Sequence, residues 1–447
     1  MSIQNLKETI KRNIDQRQTE ILNLAQTIYE NPETGYREWK TSNLVKAKFQ
    51  TIVEEVMVFP DIPGVKVTVD TGKPGPNVAV LGELDALLCP NHPDSEASTG
   101  AMHACGHNMQ IATMMGAFMG IIDSEAVEEL SGKIHFIAVP AEECIELGFR
   151  KELREQGVIR YFSGKAELLH RGWFDDVDMC MLLHSTARPY KFAMPGTSNG
   201  CVVKTVRYIG KPAHAGGAPD RGINALYAAN LGLMAINSIR EGFKEKDYIR
   251  VHPIITKGGD SVNVIPSEVK IETFVRGRTI EAIQHANAKV NRALLGGAIA
   301  LGAKVEIEDF GGYMPEVVDA DFAKLARKIM GELVNAEEID EDTSHGTGST
   351  DMGDLSTLMP ALQPSLGGVQ GHMHGDDYTV VKPENTVLGA KFLALAVVEL
   401  LSNEAANAKA IIENYKPVFK SKDEYFRTVD SMFSKRALPP ENCGDFF

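Results

Sequence analysis

Residues 201–210 read CVVKTVRYIG, a β-branched run with the alternation of a strand, and the hundred residues after it decide how the chain is organised. INALYAANLGLMAINSI (223–239) has the length and apolar content of a helix. RVHPIITKGG (250–259) and SEVKIETFVRG (267–277) return to strand patterning, EAIQHANAKVNRALLGGAIALG (281–302) is a second helix, and AKVEIEDF (303–310) is a last strand. The order β-α-β-β-α-β closes on itself within about 110 residues as a ferredoxin-like split unit.

Outside this unit the pattern differs. GVKVTV (64–69), NVAVLGELDAL (77–87), GKIHFIAVP (132–140) and VDMCMLLH (177–184) are short β-rich runs, with helical segments near 108–122 and 145–170. Strands alternating with helices predict a mostly parallel sheet covered on both faces. Leu6, Ile10, Ile14, Ile21, Leu24 and Ile28 predict an opening amphipathic helix over 5–30, and a second follows from about Thr41 to Val56. After residue 310 an αβ pattern resumes with DFAKLARKIMGEL (321–333). The expected architecture is an α/β domain with helices on both faces, made of 1–197 and 310–447 and interrupted by an inserted α+β domain over 198–309. Residues 415–447 form a mixed polar and aromatic extension whose role no pattern discloses.

At 447 residues and 43% hydrophobic content, each of two domains can have its own core. The net charge of −14 is spread along the chain, and Lys and Arg build no basic stripe with interleaved aromatics, so a nucleic-acid partner is not expected. The start MSIQNLKETIKRNID has no apolar core of a signal peptide, and no run approaches bilayer-spanning length; a cytoplasmic protein without a membrane partner is expected. Six sparse cysteines (Cys89, Cys105, Cys144, Cys180, Cys201, Cys443) fit reduced thiols better than a disulfide framework.

The most informative stretch for chemistry is MHACGHNMQIA (102–112), with His103, Cys105 and His107 in a glycine-containing turn before an apolar helix. Thiolate and imidazole are both good ligands for zinc-like ions, yet such a turn serves as well for a buried thiol with hydrogen-bonded histidines. The company tips the balance. Glu142 and Glu143 come directly after GKIHFIAVP, His184 ends VDMCMLLH, Glu83 and Asp85 end the strand in NVAVLGELDAL, and His372 and His374 lie in SLGGVQGHMHGDDY (365–378). Ligands in open α/β sheets bind outside the carboxyl ends of strands, and four segments deliver metal-type side chains to that edge.

NPETGYREWKTS (31–42), GELDAL, MHACGHN, PAEE, AHAGGAPDRGINAL (213–226), NVIPSEVKIETFVRG (263–277), GSTDMGD (348–354) and HGDDY, in this order, resemble the M20 metallopeptidases. The likeness is greatest to their amidohydrolase branch, which includes aminoacylase-like enzymes, plant auxin-conjugate hydrolases and p-aminobenzoyl-glutamate hydrolases. The resemblance implies that Cys105, His107, Glu143, His184 and His374 hold two divalent metals, zinc or manganese. It implies Glu142 as general base, Asp85 as the carboxylate that orients a ligand, and His214 as a histidine reaching across a dimer to polarise the scissile carbonyl. Asn263 and Arg276 resemble groups that bind the carbonyl and the free carboxylate of the substrate. His374 is preferred over His372 because Tyr378 follows at the motif's spacing. The sequence departs from the branch at Asn108, at Glu83, at GSTDMGD, and in a longer segment between Glu143 and His184.

The implied activity is hydrolysis of the amide bond in N-acyl amino acids, amino-acid conjugates or dipeptides with a free carboxylate, by a homodimer whose inserted domain is both lid and dimerisation surface. Two metals sharing a water lower its pKa, and a carboxylate shuttles its proton to the leaving amine. Two other readings stay open here: Cys105 as the nucleophile of a cysteine hydrolase with His103 or His107 as its base, and a non-catalytic ligand-binding module.

Overall fold

The computed structural model describes residues 2–438. Its contacts divide the chain into two units. Residues 2–197, 317–344 and 354–418 form one, and residues 198–316, 345–353 and 419–438 form the other.

In the first unit a sheet runs in the order Val65–Asp70, Lys133–Val139, Asn77–Glu83, Met179–Met181, Ala361–Leu362. Val65–Asp70 is antiparallel to its neighbour and the other pairs are parallel. Asn77–Glu83 and Lys133–Val139 are buried at every position but their first, as expected of parallel strands covered on both faces. A smaller mixed sheet holds Ile339–Asp340, Phe192–Ala193, Ser365–Gly367 and His184–Thr186. The helix His107–Asp123 is buried all round from His107 to Ile121. Its Gly116 allows close approach, since a Cβ there would come within 2.7 Å of the Ala390 Cβ and 2.8 Å of Ile21 Cδ1.

Three expected helices differ in extent. The segment 5–30 forms two helices, Ile3–Gln16 and Gln18–Tyr29, hinged at Arg17. Ile10, Ile14, Ile21, Leu24 and Ile28 all remain buried, so the apolar periodicity survives a break that it cannot reveal. The next helix is Trp39–Gln50 and stops short of Val56, its last turn tightening as the N–H groups of Thr51 and Ile52 bond three residues back to the Lys48 and Phe49 carbonyls. The stretch 145–170 holds Leu147–Glu155 and Gly164–His170, separated at Gly157, whose φ of +74° a side chain disfavours.

The second unit is an antiparallel sheet in the order Arg250–Val251, Glu268–Gly277, Gly200–Ile209, Lys304–Gly311, Ser434–Leu438, with Ile254–Lys257 also paired to Glu268–Gly277. Helices Ala225–Ile239 and Ile280–Leu301 cover one face over Val206, Tyr208, Val269, Ile271, Val305 and Ile307. RVHPIITKGG yields two short strands rather than one, interrupted at His252-Pro253, where proline has no N–H to give the ladder. The larger domain was expected to keep all of 310–447, but among the described residues 310–316, 345–353 and 419–438 group with the inserted sheet. The last of these is held by the strand Ser434–Leu438, which pairs with Lys304–Gly311 in the register Asp309↔Ser434, with Ser434 Oγ donating to Asp309 Oδ2 at 3.0 Å, and 345–353 by the Asn199 N–H, which donates to the Gly348 carbonyl at 3.0 Å. Among the described residues no single helix is long and apolar enough to cross a membrane.

Candidate metal centre

The parallel strands Asn77–Glu83, Lys133–Val139 and Met179–Met181 end at one edge of the first unit's sheet. Asp85, Glu142, Glu143 and His184 come just past those ends, so the side chains arrive together because the strands do. Cys105 and His107 join them through a turn that needs glycine: Gly106 has φ +82°, and a Cβ there would lie 2.1 Å from Ser185 Oγ. His374, itself at φ +65°, is tied to the same turn by its backbone N–H, which donates to the Ala104 carbonyl at 3.0 Å.

Cys105 Sγ is the hub. It lies 3.3 Å from His184 Nε2 and 3.3 Å from His374 Nε2, and His374 Nε2 is 3.0 Å from Glu143 Oε1. Donor atoms of Cys105, His107 and His184 lie within 4.8 Å of one another, as do those of Cys105, Glu143 and His374, and those of His107, Glu142 and Glu143. His372 stays outside, solvent-exposed and bonded through Nδ1 to Asp377 Oδ2 at 2.9 Å. His103 is buried with neither ring nitrogen hydrogen-bonded, and burial followed by the charge of His107 holds its imidazole down at about 3.

The residues fit a bound cation. His107 Nδ1 donates to the Asp85 carbonyl at 2.7 Å and His184 Nδ1 to the Ser185 carbonyl at 2.8 Å, which leaves each Nε2 as the nitrogen that would give up its proton and bind a cation. His107 Nε2 is buried and makes no hydrogen bond. Burial pushes the Cys105 thiol up, but the imidazoles of His184 and His107 outweigh it and hold the group down at about 6. Burial likewise raises Glu143, which His374 overcomes to hold it at about 2, while Glu143 lifts His374 to about 11. A thiolate, three imidazoles and carboxylates form a donor set suited to zinc and its neighbours.

The loop carrying Glu142 and Glu143 is pinned from several sides. Ala141 takes φ +56°, a conformation that costs energy in a residue with a side chain, and its N–H donates to Glu38 Oε1 at 2.7 Å. The N–H of Glu143 donates to Asp85 Oδ2 at 2.8 Å. Arg150, 1% exposed, donates to the carbonyls of Ala141 (3.3 Å), Ile145 (2.8 Å), Glu143 and Phe162. A second buried cation, Lys165, pairs with Glu83, whose Oε2 also accepts from Gln110 Nε2 at 2.8 Å and lies 3.2 Å from His107 Nε2. Sequence reasoning named neither Arg150 nor Lys165. The one signal was the unexpected length of their segment.

His214, Asn263 and Arg276 lie in the second unit. His214 Nδ1 accepts the N–H groups of Gly216 (3.2 Å) and Gly217 (3.0 Å), so its ring proton is on Nε2. The N–H of Ala215 donates to the Asn263 carbonyl at 2.9 Å, which brings His214 and Asn263 together. Arg276 is not with them: it lies toward the far end of the strand Glu268–Gly277, its guanidinium over the Phe274 ring.

The sequence matches the model of the peptidase family M20/M25/M40 over residues 79–399. It is 26% identical to a mouse Xaa-Arg dipeptidase, with 93% of each chain covered. It is 27% identical to the indole-3-acetyl-aspartic acid hydrolase of Enterobacter agglomerans over 69% of this chain and 68% of that one. A crystal structure of a dinuclear metal-binding M20 peptidase from Bacillus subtilis shares the fold with a TM-score of 0.63 at 21% identity, covering 88% of this chain and 99% of the other.

Proposed function

Because the chain belongs to the peptidase family M20/M25/M40 and is a metal-dependent hydrolase, we propose that it cleaves the amide bond of N-acyl amino acids, amino-acid conjugates or dipeptides with a free α-carboxylate. The observation that carries this is the convergence of Cys105, His107, His184, Glu143 and His374 beside Glu142. Relatives named as a dipeptidase and as an aspartic-acid conjugate hydrolase act on bonds of this class.

In this reading Cys105, His107, Glu143, His184 and His374 hold two divalent ions, zinc or manganese, and Asp85 orients His107 and Glu143. Such ions, when bound, supply Lewis acidity toward the carbonyl and make water acidic enough to lose a proton near neutral pH. Glu142 takes that proton and delivers it to the leaving amine. The Nε2–H of His214 and the amide of Asn263 donate to the developing oxyanion, and Arg276 pairs with the substrate carboxylate.

His214 and Arg276 serve different protomers of a dimer. A strand rises about 3.3 Å per residue, so Arg276 lies roughly 26 Å along its strand from Glu268, next to the loop that carries Asn263. One dipeptide-sized substrate does not span that, whereas a second copy bringing its own His214 and Asn263 does. The inserted unit has an apolar surface for the contact: Tyr227, Leu231 and Met234 are exposed at helical spacing on Ala225–Ile239, and Ile254 and Ile255 on the edge strand Ile254–Lys257. Five free cysteines among the described residues accord with a reducing, cytoplasmic setting.

A panel of N-acyl amino acids and dipeptides, assayed on metal-stripped protein reloaded with zinc, manganese or cobalt, tests the reading. Hydrolysis that depends on the added ion is expected. No turnover of any member by the loaded protein, or full activity after chelation, overturns it. A Cys105 nucleophile would instead be shielded from alkylation by substrate analogues and not by metal.

A further inference from the structure

In the second unit, Arg250 and Arg276 face each other directly across adjacent antiparallel strands. Residues so paired project from the same side with Cβ atoms about 4.5–5.5 Å apart, and like charges there repel. The next pair in register, Val251 and Val275, is buried in the apolar layer against the helices, so both guanidinium groups project from the opposite face. Among the described residues neither is in an ion pair with a carboxylate: Arg250 Nη1 donates to the Ile249 carbonyl at 3.0 Å, and Arg276 stacks over Phe274 with 5.2 Å to the ring centroid.

Other cations gather at the same place. His252 is held below its ordinary value first by partial burial and then by Arg240, Arg276 and Arg250, so three guanidinium groups act on one imidazole. A cavity of about 380 Å³ adjoins Arg250 and His252 but not Arg276, and is also lined by Arg240, Lys244, Val251 and the acidic Glu245. In a chain of net charge −14, which repels anions at long range, uncompensated arginines at cross-strand contact are destabilising until an anion joins them.

We propose that Arg250 and Arg276 form a two-guanidinium grip for a dicarboxylate, so that the amino acid released by this enzyme is an acidic one. Arg276 takes its α-carboxylate and Arg250 its side-chain carboxylate. Each planar fork matches one carboxylate with paired N–H donors. Discrimination follows because a neutral side chain leaves Arg250 unpaired beside Arg276, and a basic one adds a further positive charge. The inference rests on the reading of Arg276 as a substrate-carboxylate group.

The test compares N-acetyl-aspartate and N-acetyl-glutamate with N-acetyl-alanine and N-acetyl-methionine on the wild type and on Arg250→Gln, an exposed position where the fold tolerates the change. The wild type should favour the acidic substrates in kcat/KM. In Arg250→Gln that preference should shrink by about tenfold, through KM, as expected when one partner of a charge-assisted pair is removed. A wild type without the preference, or a variant that keeps it, overturns the grip. Should the wild type cleave no N-acyl amino acid, the substrate reading fails and glutarate decides the grip alone: it should raise the melting temperature of the wild type but not of Arg250→Gln, with butyrate as control. Absence of that shift, or non-competitive inhibition by glutarate of an active enzyme, overturns the subsite.

Discussion

Asp85 holds Glu143 by the backbone: its Oδ2 accepts the Glu143 N–H at 2.8 Å while its own carbonyl accepts His107 Nδ1 at 2.7 Å. One residue thus orients two candidate ligands from different segments. Replacing Asp85 with alanine should lower metal affinity by about 10- to 100-fold, the usual effect of losing a partner that orients a ligand. Titration of the stripped variant with zinc checks it. Unchanged affinity would mean that Asp85 only fills space.

Arg150 should act on rate rather than on binding. It bridges the carbonyls of Ala141, Glu143 and Ile145 from below the loop that carries Glu142. Lysine keeps the charge but cannot span several carbonyls at once, so Arg150→Lys should lower kcat by about 10- to 100-fold, as misplacement near 1 Å does. KM and metal content should hold. If activity falls only in step with the unfolded fraction, measured from melting curves, the role is structural.

Metal removal should destabilise the first unit. Bound cations stabilise the folded state by mass action, and without them Cys105 and Glu143 keep their charges beside the imidazoles of His107, His184 and His374 only. Protein reloaded after chelation should carry close to two divalent ions per chain and melt at a higher temperature than the stripped form. Elemental analysis and calorimetry read both. A content near zero, or one ion unaffected by Cys105→Ser, would defeat the two-metal proposal.

Subunit mixing tests the dimer. Glu142→Gln and His214→Ala chains should each be inactive alone. A hybrid pairs an intact Glu142 with the intact His214 of its partner in one of two sites, so random exchange should restore about a quarter of wild-type activity. No recovery despite demonstrated exchange would mean that His214 does not act in trans.

How much of the fold and the site was legible in the sequence depended on how local each feature is. Cys105 and His107 share a turn, and Glu142, Glu143 and His184 come after apolar runs that could only be buried strands, so the position of the edge could be read from the pattern. Arg150 and Lys165 left no such trace. Buried cations run against the ordinary tendency of Arg and Lys to stay in water, and only the tertiary fold reveals that Lys165 reaches Glu83, 82 positions away. The strand Ser434–Leu438 was invisible for a related reason: SKRAL lacks alternating apolar residues, and its partner Lys304–Gly311 is remote in the chain.

Glu142 and Glu143 are adjacent in sequence but should fail in different ways. Glu143 Oε1 faces His374 Nε2 at 3.0 Å and shares the Cys105 cluster, as a ligand does. Glu142, 7% exposed, is within reach of His107 and Glu143 but belongs to neither group built on Cys105, which suits a proton acceptor at the rim of the metal cluster. Glutamine preserves the shape of glutamate and cannot take a proton from water at neutral pH. Glu142→Gln should therefore lose about 3 to 5 kcal/mol of transition-state stabilisation, roughly a hundred- to ten-thousand-fold in kcat, with metals and fold intact. Glu143→Gln should lose metal first and activity as a consequence, and excess metal should restore part of that activity. Measuring kcat and metal content on both variants separates the roles. Near-normal turnover in Glu142→Gln, or metal loss there and not in Glu143→Gln, would reverse the assignment of base and ligand.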